Sequence, residues 1–217
     1  MAQESRILLV DDHAIMRSGL RALLSAEPGF SVVGEAATGK DAIELVRRLL
    51  PDVVVMDVRM PDLNGIDATR QALAMHPPVK VIGLSADSNG HMAVEMLRAG
   101  ALGFVRKDAA YEELIGAIRA ALADRIYCNS AVIARFNAER LQASAGQSPS
   151  AFNLLSPRER EHLQLIADGK STKEIARHLH VSVKTVETHR RNLMLKLHVH
   201  SIAELTKYAI REGLTTP

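Results

Sequence analysis

Cysteine is almost absent from this sequence of 217 residues: Cys128 stands alone. No intrachain disulfide is possible, and a reducing compartment is expected. Cys128 reads as an inert, partly buried thiol. Long apolar runs are missing too. None approaches the ~18 residues a membrane span needs, so no membrane anchor is expected. Met1 to Arg6 lead straight into a strand pattern without a signal-peptide signature, and the expectation is a cytoplasmic protein.

Net charge is also scarce, +2 in all, but the balance hides an asymmetry. Residues 1–124 carry 13 Lys+Arg against 17 Asp+Glu, a net −4. Residues 154–217 carry 11 against 7, a net +4, with six of the nine histidines. An acidic and a basic half suggest two modules, the second facing a polyanion. A hydrophobic content of 47% is enough for two cores.

From residue 6 to 124, strand and helix patterns alternate. Apolar runs predict strands at 6–10, 31–36, 52–56, 79–84 and 102–106. Amphipathic stretches predict helices at about 14–26, 39–50, 64–75, 88–99 and 111–124, with Ala42, Leu45, Val46 and Leu49 forming one apolar face. Five such units imply an α/β domain, a five-stranded parallel sheet with helices on both faces. Residues 125–140 also read as helical, with Asn129 or Ser130 as cap. The small and polar residues 142–150, with their Pro and Gly, read as a flexible linker.

Beyond the linker a second, smaller all-α domain is predicted. Ser156-Pro157-Arg158-Glu159 is a capping box with Pro at the first helical position. Ser171-Thr172-Lys173-Glu174 is another, after Gly169 as a helix stop. A helix at about 172–179 meets a turn at His180-Val181. Ser182 then caps a helix over 183–197, and a fourth helix follows at about 201–212. Two helices joined by so short a turn suggest helix-turn-helix. His178, His180, His198 and His200 crowd this half, but with no cysteine beside them they are not read as a metal site.

Asp57 ends the apolar run Val53-Val54-Val55-Met56, and Asp11 and Asp12 end the run Ile7-Leu8-Leu9-Val10. In an open parallel sheet, ligands bind outside the carboxyl ends of the strands, where strand order reverses. If these two strands are neighbours, three carboxylates share one crevice and need a cation among them. An oxygen-only ligand set argues for Mg²⁺. Ser85 and Lys107 end two further strands, and their hydroxyl and ammonium complement a phosphoryl group. Taken singly, each has a plainer reading: turn residue, helix cap or solvated charge. The joint placement outweighs them.

On these residues, 5–124 resembles a bacterial response-regulator receiver domain, a flavodoxin-like doubly wound fold. The resemblance implies that Asp57 is phosphorylated by a sensor histidine kinase. It implies that Asp12 binds Mg²⁺ directly and Asp11 more often through water, with Asp57 and the Arg59 carbonyl completing the set. Ser85 and Lys107 would contact the phosphoryl oxygens. Phe104 occupies the position of a switch aromatic and has no hydroxyl, so any switch must run on packing. Asp108 follows Lys107 where many receivers have Pro, which puts a cis bond there in doubt.

Residues 155–214 resemble the helix-turn-helix output domain of regulators related to NarL, FixJ and LuxR. The matching residues are Leu155 to Glu161, Lys173-Glu174-Ile175-Ala176, Val183 to Arg190, Asn192 and Lys196-Leu197. Val183, Val186, Leu193 and Leu197 share one stripe, expected to face the core. Lys184, Glu187, Thr188 and Arg191 fall on the opposite face, which suits a major groove. Glu187, Thr188 and Arg191 are the candidates for base edges. Lys184, Thr185, Arg190 and Lys196 are the candidates for phosphates.

The domains expected are a receiver at 1–124, a helical and flexible linker at 125–153 and a DNA-binding domain at 154–217. The resemblance implies a transcriptional regulator that binds double-stranded DNA, forms a homodimer on activation and is no enzyme beyond gaining and losing its own phosphoryl group. Two other readings stay open on the sequence. One is a DNA-binding protein controlled by something other than phosphorylation. The other is an aspartyl-phosphate phosphatase, which typically needs a second acid two residues after the nucleophile, where this chain has Arg59.

Overall fold

The computed structural model describes residues 4–86, 90–109, 111–144, 154–212 and 214–215. They divide into two compact units, Met1–Leu141 and Gln142–Pro217. Among the described residues no helix is long and apolar enough to cross a membrane.

The first unit alternates β1 Ser5–Val10, α1 Ala14–Ala26, β2 Phe30–Ala36, α2 Gly39–Leu49, β3 Val53–Asp57, α3 Gly65–Met75, β4 Lys80–Ser85, α4 Gly90–Arg98, β5 Gly103–Arg106 and α5 Tyr111–Leu122. All strand pairs are parallel, in the order β2-β1-β3-β4-β5. Strand order reverses beside β1, so the ends of β1 and β3 border the crevice where such sheets bind ligands. Alternate residues of each strand face opposite sides of the sheet. Ile7, Leu9, Val53, Val55, Ile82 and Val105 meet Leu24 of α1 and Leu114 and Ile118 of α5 in one buried core. Leu8, Val54 and Met56 take the alternate positions and are equally buried.

Residues 125–129 depart from the expected helix. Tyr127 bridges to Gly103, its N–H donating to the Leu102 carbonyl and its carbonyl accepting from Phe104 N at 3.0 Å. Backbone pairing beside β5 wins over local helical periodicity. The helix α6 starts later, at Ser130, and runs to Ser144. Asn129 is its cap, its side chain accepting from Ala131 N at 2.8 Å. Of the expected linker at 142–150, residues 142–144 are helical and 145–150 lie outside the described residues, as do 88 and 89 of the predicted helix at 88–99.

The described residues of the second unit include the helices α7 Pro157–Ala167, α8 Thr172–His178, α9 Val183–Leu197 and α10 Ile202–Arg211. Each start carries a serine cap: Ser156, Ser171, Ser182 and Ser201. The first two are full capping boxes, with Glu159 and Glu174 reaching back to the cap N–H at 2.7 and 2.8 Å. A cap of this kind stabilises its helix by about 1 kcal/mol, which matters for a helix as short as α8. Leu155, Leu163, Leu165, Ile175, Val186, Leu193, Leu205 and Ala209 fill the core. Val183 does not join it. As the first residue after the cap it stands 40% exposed.

Polar residues are buried in this unit too, among them Gln164 and His162. His162 of α7 is 1% exposed, and neither ring nitrogen has a hydrogen-bond partner. Burial pushes its pKa down to about 4, aided by the charges of His189 and Arg190 and opposed by Glu161. The folded state therefore releases a proton that the unfolded chain holds below pH 6.5. His162→Leu should raise stability by about 1–2 kcal/mol at neutral pH, since an unpartnered buried polar group is removed. Wild-type stability should also fall as pH drops from 6.5 towards 4, and the variant should lose that part of the slope. Urea unfolding at pH 7.5 and pH 5 measures both effects. A variant no more stable, with an unchanged acid slope, contradicts this account of His162.

Candidate functional site

The register between β1 and β3 builds the acidic pocket. Val10 lies opposite Met56, so the next residues, Asp11 and Asp57, emerge side by side. Both are buried, at 1% and 2% exposure, whereas Asp12 is exposed. The loop after Asp57 returns tightly to α3. Gly65 N–H donates to the Val58 carbonyl at 2.9 Å. A Cβ at Gly65 would fall 2.0 Å from the Asp57 carbonyl oxygen, so no larger residue fits there without moving the Asp57 backbone. Asn64 caps α3, its side chain accepting from Asp67 N at 3.0 Å.

Lys107 closes the pocket from the end of β5. Its Nζ donates to Asp57 Oδ2 at 2.7 Å and lies 2.7 Å from Asp11 Oδ2. The ammonium thus lies between the two buried carboxylates and pairs with both. The Lys107 backbone is anchored too, its N–H donating to the Ser85 carbonyl at 2.8 Å. Burial pulls the Lys107 ammonium down, but the carboxylates of Asp11 and Asp57 outweigh it and its pKa is raised. Burial pushes the Asp57 carboxyl up to about 6, Lys107 opposing and Asp11 reinforcing the rise. A buried carboxylate with so raised a pKa, beside a second buried carboxylate, is a site short of positive charge.

Four side chains offer ligand atoms within 4.8 Å of one another: Asp11, Asp12, His13 and Asp57. The clustered carboxylates fit a divalent cation. His13 is the member that the oxygen-only reading passed over. Arg59 enters through its backbone, its N–H donating to Asp57 Oδ1 at 3.2 Å. Ser85 is buried at the end of β4, one residue beyond the Leu84 that pairs with Asp57. Phe104 is half-buried on β5, opposite Gly83. Asp108 makes a bidentate pair with Arg106, at 2.7 and 2.5 Å, and among the described residues no peptide bond is cis.

In the second unit, α9 presents Lys184, Glu187, Thr188 and Arg191 on its exposed face. Glu187, Arg190, Arg191 and Met194 line a shallow cavity of about 240 Å³ there. Three neighbours are already engaged. The Thr185 hydroxyl lies 2.8 Å from Ser182 Oγ, and the Thr188 hydroxyl donates to the Lys184 carbonyl at 3.0 Å. Lys196 donates to both oxygens of Glu159, at 2.9 and 2.8 Å, tying α9 to the start of α7.

The comparisons agree with both halves. The family model described as the response regulator receiver domain matches residues 7–119. That of the bacterial regulatory proteins of the luxR family matches residues 153–209. The response regulator UvrY of Escherichia coli K12 is 36% identical over 208 residues, covering 96% of this chain and 94% of UvrY. A LuxR-family two-component response regulator from Aurantimonas sp. SI85-9A1 is 37% identical, with a TM-score of 0.58 over 64% of this chain and 99% of that one. RcsB of Salmonella enterica serovar Typhimurium, solved on the rprA promoter with the phosphomimetic BeF₃⁻, is 27% identical. Its TM-score is 0.62 over 95% of this chain and 98% of RcsB. The chain belongs to the response regulators that join a receiver domain to a LuxR-type helix-turn-helix domain, the NarL/FixJ family.

Proposed function

We propose that this protein is a cytoplasmic transcriptional regulator whose DNA binding is set by phosphorylation of Asp57 by a sensor histidine kinase. In this reading residues 1–124 receive the signal, 125–153 connect and 154–217 bind DNA. The observation that carries it is Lys107 Nζ set 2.7 Å from both Asp57 and Asp11 at the mouth of the sheet. An oxygen of Asp57 forms the new bond to phosphorus as the bond to the donor's leaving group breaks. Lys107 neutralises charge on the transferred group, and the Ser85 hydroxyl donates to one of its oxygens. Asp11, Asp12, Asp57 and the Arg59 carbonyl would hold Mg²⁺, which supplies charge neutralisation for phosphoryl transfer. The phosphoryl group adds about one to two negative charges at Asp57. Lys107 must then share its charge with the new oxygens, and β5, which carries Phe104, is the element that Lys107 can pull. A changed packing at Phe104 favours homodimers that bring two α9 helices to two half-sites. For the enzyme reading, Arg59 stands where a phosphatase of this kind would need its second acid.

Incubation with a small phosphodonor and Mg²⁺ should raise the intact mass by one phosphate, and Asp57→Asn should abolish the gain. Retained labelling in that variant contradicts the assignment.

On DNA, Arg191 has the fork that matches guanine, and Lys184 is a point charge near the start of α9. Arg191→Ala should cost roughly 1–3 kcal/mol on the operator and flatten preference at one base position. Lys184→Ala should weaken all sequences alike and lower the salt slope by about one. A randomised operator library read at two salt concentrations separates them. Uniform weakening by Arg191→Ala would make Arg191 a phosphate contact.

A further inference from the structure

In the second unit a cavity of about 280 Å³ opens between α7 and α9. Glu159 and His162 of α7 line it, as do His189, Asn192 and Leu193 of α9. Glu159 and His162 are three residues apart on one helix, and so are His189 and Asn192, a spacing that puts each pair on one helix face. The two helices therefore each turn a histidine and an oxygen-bearing side chain towards the same space. One water needs only about 10–15 Å³ of such space, so an ion and several waters fit.

His162 is the buried member, 1% exposed, and neither of its ring nitrogens has a hydrogen-bond partner. A neutral imidazole carries one nitrogen with a free lone pair, so His162 holds a lone pair that no described residue engages. Buried polar groups are nearly always hydrogen-bonded, and each exception calls for an explanation. An apolar side chain would serve this core better, so a histidine here points to a role other than packing. The second ring is close. The ring centres of His162 and His189 are 5.5 Å apart and their planes meet at 64°. Two imidazoles on one tetrahedral ion, each with a nitrogen about 2.1 Å from it, have ring centres roughly 5 Å apart. Cations beside the cavity are already neutralised: Arg158 pairs with Glu161 at 2.7 Å, and Lys196 with Glu159 at 2.8 Å.

We propose that His162 and His189 together bind one first-row divalent transition ion, Zn²⁺ in the first place, and that the ion clamps α9 to α7. Imidazole suits Zn²⁺ and its neighbours in the series, whereas Mg²⁺ seeks oxygen. The Asn192 amide oxygen and water fill the remaining positions. Glu159 keeps Lys196 as its partner and enters as a neighbouring negative charge. The Lys196–Glu159 bridge already joins the same two helices, and the ion adds a second tie at His189, next in sequence to Arg190 and Arg191.

The full chain, ¹⁵N-labelled and held in excess Mg²⁺ to occupy the carboxylate pocket of the first unit, is titrated with Zn²⁺ at neutral pH. Nuclear magnetic resonance of the imidazole nitrogens shows which rings take the ion, and calorimetry gives the affinity. Wild type is compared with His162→Leu, His189→Ala and, as a control, His178→Ala. In wild type the ring nitrogens of His162 and His189 should shift together, each signal identified by its loss in the matching variant. Both of those variants should bind Zn²⁺ more weakly by about tenfold or more, and His178→Ala should keep the wild-type affinity. Urea unfolding checks that His162→Leu is folded, and His189, half-buried at the cavity, gives an independent variant if it is not. No Zn²⁺ binding by wild type, shifts confined to other histidines, or an unchanged affinity in either folded variant overturns the proposal.

Discussion

The receiver half is organised around one tie: Lys107 Nζ held between Asp57 and Asp11. Two buried carboxylates side by side repel, and burial, reinforced by Asp11 and opposed by Lys107, pushes Asp57 up to about 6. Lys107 is the group that makes the arrangement tolerable. Removing one partner of such a buried set leaves an uncompensated charge, which is far costlier than never having the pair. The rest of the unit serves this geometry. Parallel pairing of β1 with β3 brings the acids together, pairing of β4 with β5 delivers the lysine, and Gly65 lets α3 close on the Asp57 backbone.

The tie is also a poised one. A group that adds charge and oxygens at Asp57 competes for the same ammonium, and Lys107 directly follows a four-residue strand, β5, whose edge is covered by Tyr127. Proposed switching at Phe104 therefore needs only a short strand to shift its packing. The second unit is built differently. Its helices are short, and their integrity rests on serine caps, two capping boxes and the Lys196–Glu159 bridge. Within that unit the bridge ties α9 to the start of α7.

Much of this was legible in the residues. Strand ends were marked by apolar runs that stop at Asp, Ser or Lys, and every helix start in the basic half announced itself by a serine with Glu or Thr three residues on. What the sequence concealed were contacts between distant segments. Residues 125–129 have helical periodicity, but the backbone of Tyr127 pairs beside β5, a competition no local pattern reveals. Lys196 reads as a free cation until Glu159, 37 residues away, is seen beside it. Val183 fits the apolar stripe but precedes the turn of α9 that packs. His13 could have been noticed, since it follows the acid pair directly.

The central claim is that the state of the Asp57 pocket sets the affinity of α9 for its operator. Operator binding by fluorescence anisotropy, with and without phosphodonor plus Mg²⁺, tests it in wild type and Asp57→Asn at one salt concentration. The account predicts that the phosphodonor tightens binding by wild type and leaves the Asn variant unmoved. Equal operator affinity in all four conditions would contradict it.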